Sequence, residues 1–205
     1  MRRKTFDVLV SGGGLLVAIV LIVAGALAFW GYSFANSNVH NQLAEQKIVF
    51  PPAAAFQHAK AGTEITPSMI PSVSQYAGQP LTTGAQAEVY ANDFIAVHLQ
   101  EIGNGLTYSQ ESTLARSLPA GSPAAAKAEG ISTTLFQGTT LRGLLLEAYS
   151  FSVFGEIAFV GAIVAWSLGF VMLLLVGLGM RHARRTSAAD EIVGAHVVHG
   201  EEKAA

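Results

Sequence analysis

Two long apolar stretches, one near each end of the chain, dominate its hydropathy pattern. Neither residues 8–34 nor residues 157–180 contain a charged side chain. At ~1.5 Å of rise per residue, a helix would extend roughly 40 Å over the first stretch and about 36 Å over the second. The hydrocarbon core of a bilayer is ~30 Å thick. We therefore predict two transmembrane helices, at 8–34 and 157–180.

Residues 35–156 are more polar, and their pattern predicts helices rather than strands. The sequence T-x-x-Q at Thr83–Gln86 is typical of a capping box and opens a helix that ends near Ile102, before Gly103. The segment from Pro51 to Pro80 is expected to be loop with isolated turns, apart from one short helix. No alternating run of β-branched residues competes. The other predicted helices cover residues 36–47, 53–61, 107–118, 123–137 and 141–154, and the last could continue into the second span.

The charges outside the apolar stretches predict the orientation. Basic residues precede the first stretch at Arg2–Lys4 and follow the second at Arg181–Arg185, whereas residues 35–156 carry nine acidic and five basic side chains. The positive-inside rule then places both termini in the cytoplasm. We predict a multi-pass plasma-membrane protein of all-α fold. Its cytoplasmic N-terminus (1–7) and disordered cytoplasmic tail (181–205) lie beyond two transmembrane helices, which flank an extracytoplasmic helical domain.

The first apolar stretch has a second interpretation. A basic start, an apolar run and the A-x-A sequence of Ala26–Ala28 are also typical of a cleavable signal peptide. However, the run is longer than such peptides usually have, and Phe29 and Trp30 after the cleavage position are more typical of an anchor at the membrane surface. We expect an uncleaved span and keep cleavage as the alternative.

Composition narrows the function classes. A mean hydropathy of +0.41 is too high for an ordinary soluble domain. The net charge of −2 and the lack of a basic stripe argue against nucleic acid as a partner, and the absence of cysteine excludes disulfides and thiolate ligands. Neither span contains an ionisable side chain, which argues against haem ligation and ion-coupled transport. We predict no cofactor and no metal site.

Small residues in the spans are candidates for helix contacts. Gly161, Ala165 and Gly169 recur at a spacing of four, as do Gly14 and Ala18 in the first span. Such a spacing lets helix backbones approach closely in lipid. The contact would lie within the chain or with a partner. The alternative is that Gly and Ala are simply frequent here.

Four charged or polar side chains are the candidate binding residues. His98 and Glu101 lie one helical turn apart beside the apolar face of the 83–102 helix, where they would form a proton relay, half of a metal site or a structural pair. We favour the structural pair. Arg142 and Glu147 flank an apolar run and could hold a partner or a lipid head group, although ordinary solvated charges are the simpler interpretation. No catalytic motif is present, so we lean against an enzyme, and an enzyme using His98 and Glu101 is the alternative.

Four short stretches carry a resemblance to other proteins. Tyr76–Gln79, Gly84–Ala91, Phe94–Leu99 and Thr140–Leu146 resemble a group of uncharacterised actinobacterial membrane proteins with the same two-span layout. The similarity covers most of residues 30–180. It implies compartment and topology and carries no known activity.

These features predict a non-enzymatic accessory or assembly subunit that binds a larger membrane complex. Its partners would be the lipid bilayer and a protein in the membrane, or a second copy of the chain. The alternative is an extracytoplasmic ligand-sensing protein that signals through a partner, because two spans around a helical domain are also a layout of sensors. The short segment after residue 180 leaves no room there for an output domain.

Overall fold

The computed structural model describes residues 3–185 and is all-helical over that range, with no strand. Two 3-10 turns, Pro67–Met69 and Ser74–Tyr76, adjoin the third helix, and the π-helix Tyr90–Ile95 joins the fourth to the fifth. One isolated β-bridge pairs Val49 with Pro80. The prediction of an all-α chain is confirmed for these residues. The α-helices are α1 (Arg3–Glu45), α2 (Ala53–Phe56), α3 (Ile70–Val73), α4 (Gly84–Val89), α5 (Ala96–Ile102), α6 (Tyr108–Ser117) and α7 (Pro123–Arg185).

Helices α1 and α7 are both long and apolar enough to cross a membrane. Only 17% of the residues in the most apolar stretch of each helix are buried. The core helix of a water-soluble protein would bury most of such a stretch, because exposed apolar surface is unfavourable in water. Residues 181–185, the start of the predicted disordered tail, are helical as the end of α7, and the rest of that tail, from Thr186 onward, lies outside the described residues.

The chain folds into two compact units. The helix-pair unit contains residues 3–30 of α1 and 159–185 of α7, and the central unit contains Gly31–Ala158. The central unit has its own core, in which Phe50, Met69, Val73 and Leu81 are the largest fully buried side chains. Further buried residues of this core are Val39, Leu43, Ile65, Ala87, Ala91, Ile95 and Leu145.

The predicted helix starts are confirmed in detail. Thr83 accepts a hydrogen bond from the Gln86 amide, and the Gln86 side chain accepts from the Thr83 amide, which is a complete capping box. A second box joins Thr107 and Gln110 at the start of α6. The Ser122 hydroxyl accepts from the Ala125 amide and caps α7.

Two predictions between Pro51 and Pro80 are wrong. Helix α2 ends at Phe56 rather than Ala61, and beyond it the Lys60 amide bonds to the Ile65 carbonyl, which turns the chain. The segment expected to be loop is helical from Pro67 to Tyr76. Pro67 stands at a helix start, where its missing amide hydrogen costs nothing. The helical turns from Pro67 to Tyr76 are stabilised because Met69 and Val73 are fully buried.

The predicted interruption at residues 138–140 is also absent, since α7 is continuous. Gly138 does not end a helix but lies in close contact with Leu99, and a Cβ atom placed on it would stand 2.4 Å from Leu99 Cδ2. The expectation that the 141–154 helix continues into the second apolar stretch is correct.

Candidate functional site

The π-helix Tyr90–Ile95 is the irregular element in the helix that carries the candidate His98. Its last turn is wide, because the Ala96 amide bonds to the Ala91 carbonyl five residues earlier. Ala91 and Ile95 remain buried through this turn, so the core contact persists. The polar side chains on either side leave the helix in directions that differ from those in a regular α-helix. Short π segments within α-helices are frequent at functional sites.

His98 is half-buried and its ring is fixed by Phe94. The ring centroids are 4.5 Å apart, and His98 Nδ1 lies 2.8 Å from the Phe94 carbonyl oxygen. A carbonyl can only accept, so Nδ1 carries the proton and Nε2 is the acceptor in the neutral ring. His98 lines a cavity of about 370 Å³, together with Glu64 and Leu141.

Glu101 is exposed and is not joined to His98. No hydrogen bond or ion pair within residues 3–185 links the two side chains. The polar partner of His98 is a backbone carbonyl instead. The arrangement therefore offers one imidazole at the wall of a cavity, rather than an imidazole and carboxylate in contact.

A continuous series of aromatic side chains leads from the core to Phe94, which lines this cavity. Phe50 contacts both Tyr76 and Tyr90, and Tyr90 stacks on Phe94 at 4.7 Å between centroids. Burial, and to a lesser degree the negative charge of Glu64, raises the pKa of the Tyr90 phenol above its usual 10.0. The phenol therefore stays neutral and can donate a hydrogen bond throughout the physiological range.

Arg142 is more enclosed than an ordinary solvated charge. Its Nη2 donates to Asn92 Oδ1 at 2.8 Å, and its Nε is buried with no hydrogen-bond partner. Asn92 belongs to the π-helix, so this bond ties α7 to the irregular turn. Sequence reasoning selected Arg142 but had no signal for Asn92, which is fifty residues away.

Glu147 lies on a different side of α7 from Arg142 and does not act with it. It is exposed at the rim of a groove of about 380 Å³ between the end of α1 and the middle of α7. Leu144 is 59% exposed there and Phe151 is 47% exposed. The two charges that flank the apolar run therefore face separate cavities.

The three small residues of α7 that were predicted to contact another helix have different surroundings in the helix-pair unit. A Cβ atom on Gly169 would stand 3.0 Å from Ile22 Cγ1, so this glycine lies directly against α1, whereas Gly161 has open space around it. Ala165 is half-buried. The helices run antiparallel, since Gly14 lies against Val176 and Ser11 lies against Gly179.

Trp166 is a contact residue that sequence reasoning missed. Its indole Nε1 donates to the Ile22 carbonyl at 3.2 Å, and its ring covers Gly25 so closely that a Cβ there would stand 2.5 Å from Trp166 Cδ1. The available signal was the spacing of Ser11, Ala18 and Gly25, which recur every seven residues, with Gly14 three residues after Ser11. This is the a/d spacing of a heptad repeat rather than the uniform four-residue spacing of Gly161, Ala165 and Gly169.

Two ionisable residues, Asp7 and His182, lie where α1 begins and α7 ends, next to the contact between these two helices. Asp7 Oδ2 is 3.9 Å from His182 Nε2, and the two side chains are 19% and 56% exposed. Asp7 Oδ2 is buried and accepts no hydrogen bond within the described chain. Asp7 directly precedes the first apolar stretch and therefore lies outside the predicted span at 8–34.

Residues 3–185 hold no group of three or more His, Cys, Asp or Glu side chains that could bind a metal ion. Comparison of the chain with models of known families, with curated proteins and with solved structures finds no match. The resemblance to two-span actinobacterial proteins therefore stays a prediction.

Proposed function

We propose that this protein is an accessory or assembly subunit that binds a larger membrane complex through the central unit. The observation that carries the proposal is the groove between the end of α1 and the middle of α7. Leu144, Phe151 and Leu141 are 59%, 47% and 37% exposed beside it. Contiguous apolar surface of this kind on a folded unit is typical of a protein contact.

Membrane insertion accounts for the exposed apolar side chains of the helix-pair unit but not for Leu144 in the groove. Leu144 precedes Ile157, where the second apolar stretch begins, by 13 residues. At ~1.5 Å per residue this separation is about 20 Å along the helix. In a plasma-membrane protein with both termini in the cytoplasm, Leu144 would therefore stand well outside the hydrocarbon, where it would gain from a protein partner.

The pattern of the groove favours a helix as its occupant. On α7 the residues Leu141, Leu144, Leu145 and Ala148 follow the i, i+3, i+4, i+7 spacing with which helices bind helices. Leu145 is buried in the core, whereas Leu141 and Leu144 remain exposed. Only part of this apolar stripe is therefore covered within the chain. The rim is polar and carries Asn38, Gln42, Gln46 and Glu147, which matches the polar rim around the apolar centre of protein interfaces.

A photo-crosslinking amino acid at position 144 tests the proposal in the membranes of the native host. The matched control is position 114 on α6, since Leu114 is 43% exposed and lies away from the groove. We expect one dominant adduct with a membrane protein from position 144 and none from position 114. Leu144→Glu should abolish co-purification of that protein in mild detergent, while Leu114→Glu should preserve it.

Two results would overturn the proposal. Equal adducts from positions 144 and 114 would mean that the groove has no specific occupant. If the chain runs alone in mild detergent and Leu144→Glu does not change this behaviour, the groove likewise has no specific occupant. An adduct with a second copy of this chain would replace the larger complex with a homo-oligomer.

A ligand-sensing role is the second candidate, and the cavity at His98 favours it. The cavity of about 370 Å³ combines apolar walls with His98 and Glu64, a composition typical of small-molecule sites. A ligand screen by thermal shift on the full chain in micelles tests this role. Hits that lose their effect in His98→Ala would support sensing, and no hit would count against it.

A further inference from the structure

A second cavity of the central unit, on the other side of Leu99, is organised around Arg142. Its volume is about 400 Å³. Among residues 3–185, Arg142 is the one charged side chain that lines it, and no carboxylate of that range lies at its walls. The Glu111 carboxylate in the first turn of α6 is buried outside the lining, so Arg142 has no counter-charge within the cavity.

The guanidinium of Arg142 is incompletely bonded. Its one hydrogen bond among residues 3–185 runs from Nη2 to the neutral amide oxygen of Asn92. Nε is buried without a partner, and no ion pair with a carboxylate forms within the described chain. Arg142 is partly exposed, and its Nη1 group makes no hydrogen bond within residues 3–185, so this group is available to donate to an anion in the cavity.

The remaining walls supply further donors and an apolar surface. Ser109 and Thr139 contribute hydroxyl groups, whereas the Thr107 hydroxyl donates to Gln110 Oε1 within the capping box. The Tyr108 and Ser109 amides at the start of α6 have no carbonyl partner within the helix and favour negative charge, while the Gln110 amide is bonded to Thr107. Leu99, Leu106 and Leu135 form the apolar part. A ligand that matches both the hydrogen-bond donors and the apolar wall carries one oxyanion group and an apolar body.

We propose that this cavity binds a small organic carboxylate. Arg142 donates to the carboxylate through Nη1, since Nη2 is bonded to Asn92. The apolar body of the ligand lies against Leu99, Leu106 and Leu135. Arg side chains bind carboxylates through charge-assisted hydrogen bonds of fixed geometry. The site does not depend on the proposed groove, which lies on another side of α7.

Ligand-observed NMR and thermal unfolding of the full chain in micelles test the proposal with benzoate as the probe. Benzamide is the matched neutral probe, and inorganic phosphate is an oxyanion without an apolar body. We expect saturation transfer to benzoate and a rise in Tm that increases with its concentration. Benzamide and phosphate at the same concentration should each bind at least tenfold more weakly.

Three variants connect the binding to Arg142. Arg142→Gln should weaken benzoate binding at least tenfold, while Arg116→Gln on the exposed face of α6 should leave it unchanged. Asn92→Asp places a carboxylate next to the guanidinium without a change of size. This variant should keep or raise the Tm of the free chain and still lose benzoate binding, so loss of binding can be separated from loss of folding.

Several outcomes would overturn the proposal. Equal binding of benzoate and benzamide would show that the charge plays no part, and equal binding of phosphate would show a general anion effect. Benzoate binding that survives in Asn92→Asp would place the ligand elsewhere. A proven groove partner with no benzoate binding would defeat this inference and leave the proposed function standing.

Discussion

Gly138 and Leu99 lie in direct contact, and a Cβ atom on Gly138 would stand 2.4 Å from Leu99 Cδ2 and 3.2 Å from Leu99 Cγ. The contact places the Leu99 side chain of α5 directly on the backbone of α7. It also separates two cavities, since Leu99 lines both the one at His98 and the one at Arg142. The lack of a side chain at Gly138, within a long helix, thus allows this close packing.

Gly138→Ala should destabilise the protein despite the better helix propensity of alanine. The gain of up to ~1 kcal/mol from replacing a helical glycine is offset by an overpacking cost of about 1–3 kcal/mol. We expect a lower Tm in micelles. Gly130→Ala is the matched control because Gly130 has open space around it on the same helix, and it should raise the Tm. Stabilisation by both substitutions would show that the Leu99 contact is loose.

The antiparallel contact of the helix-pair unit can be tested with a disulfide, because the chain has no cysteine of its own. A Cβ atom on Gly179 would lie 3.9 Å from Ser11 Cβ, within the range that a disulfide needs. Mild oxidation of Ser11→Cys/Gly179→Cys should therefore give an intramolecular crosslink, seen as a shift in gel mobility that a reductant reverses. Ser11→Cys/Gly177→Cys should not crosslink, since Gly177 faces open space. Crosslinking of both pairs to the same extent would contradict this packing.

The proposed orientation makes a separate prediction for intact cells. A single cysteine at the exposed Ala120 should react with a membrane-impermeant maleimide, because the central unit is expected outside the cytoplasm. A single cysteine at Thr5 should react only after the membrane is permeabilised. The opposite pattern would reverse the orientation. Failure to find Thr5→Cys in the mature protein would favour the cleaved signal peptide.

The stability of the protein should fall at high pH through Tyr90. Its pKa is raised in the folded chain, chiefly by burial and further by Glu64. In the unfolded chain the phenol loses its proton near pH ~10, whereas the folded chain retains it. The stabilising contribution is therefore complete below pH ~10 and is lost as the pH rises through the folded pKa.

Tyr90→Phe removes this contribution and provides the measurement. Between about pH 9 and about pH 11 the Tm of the native chain should fall more steeply than that of Tyr90→Phe. Glu64→Gln removes the negative charge near the phenol, so the decline of this variant should be intermediate. Parallel Tm profiles for all three proteins would show that Tyr90 makes no such contribution.

Local features of the sequence predicted several helix starts correctly. A capping box is complete within four consecutive residues, so Thr83 and Gln86 could be paired before any fold was known, and the same holds for Thr107 and Gln110. The two apolar stretches were equally clear, because their length and lack of charge need no tertiary context. The prolines at 67 and 71 misled the prediction because proline begins a helical turn as readily as it prevents one.

The sequence by itself therefore determined the all-helical fold, the two apolar helices and the positions at which most helices begin. Only the tertiary structure decided the partners of each side chain. Asn92 bonds to Arg142, Trp166 covers Gly25 and Leu99 lies on Gly138, and each pair joins residues far apart in the chain. Helix periodicity states which residues share a face but not which distant face they meet. That choice depends on how closely two backbones can approach, and small residues on both helices set the distance together.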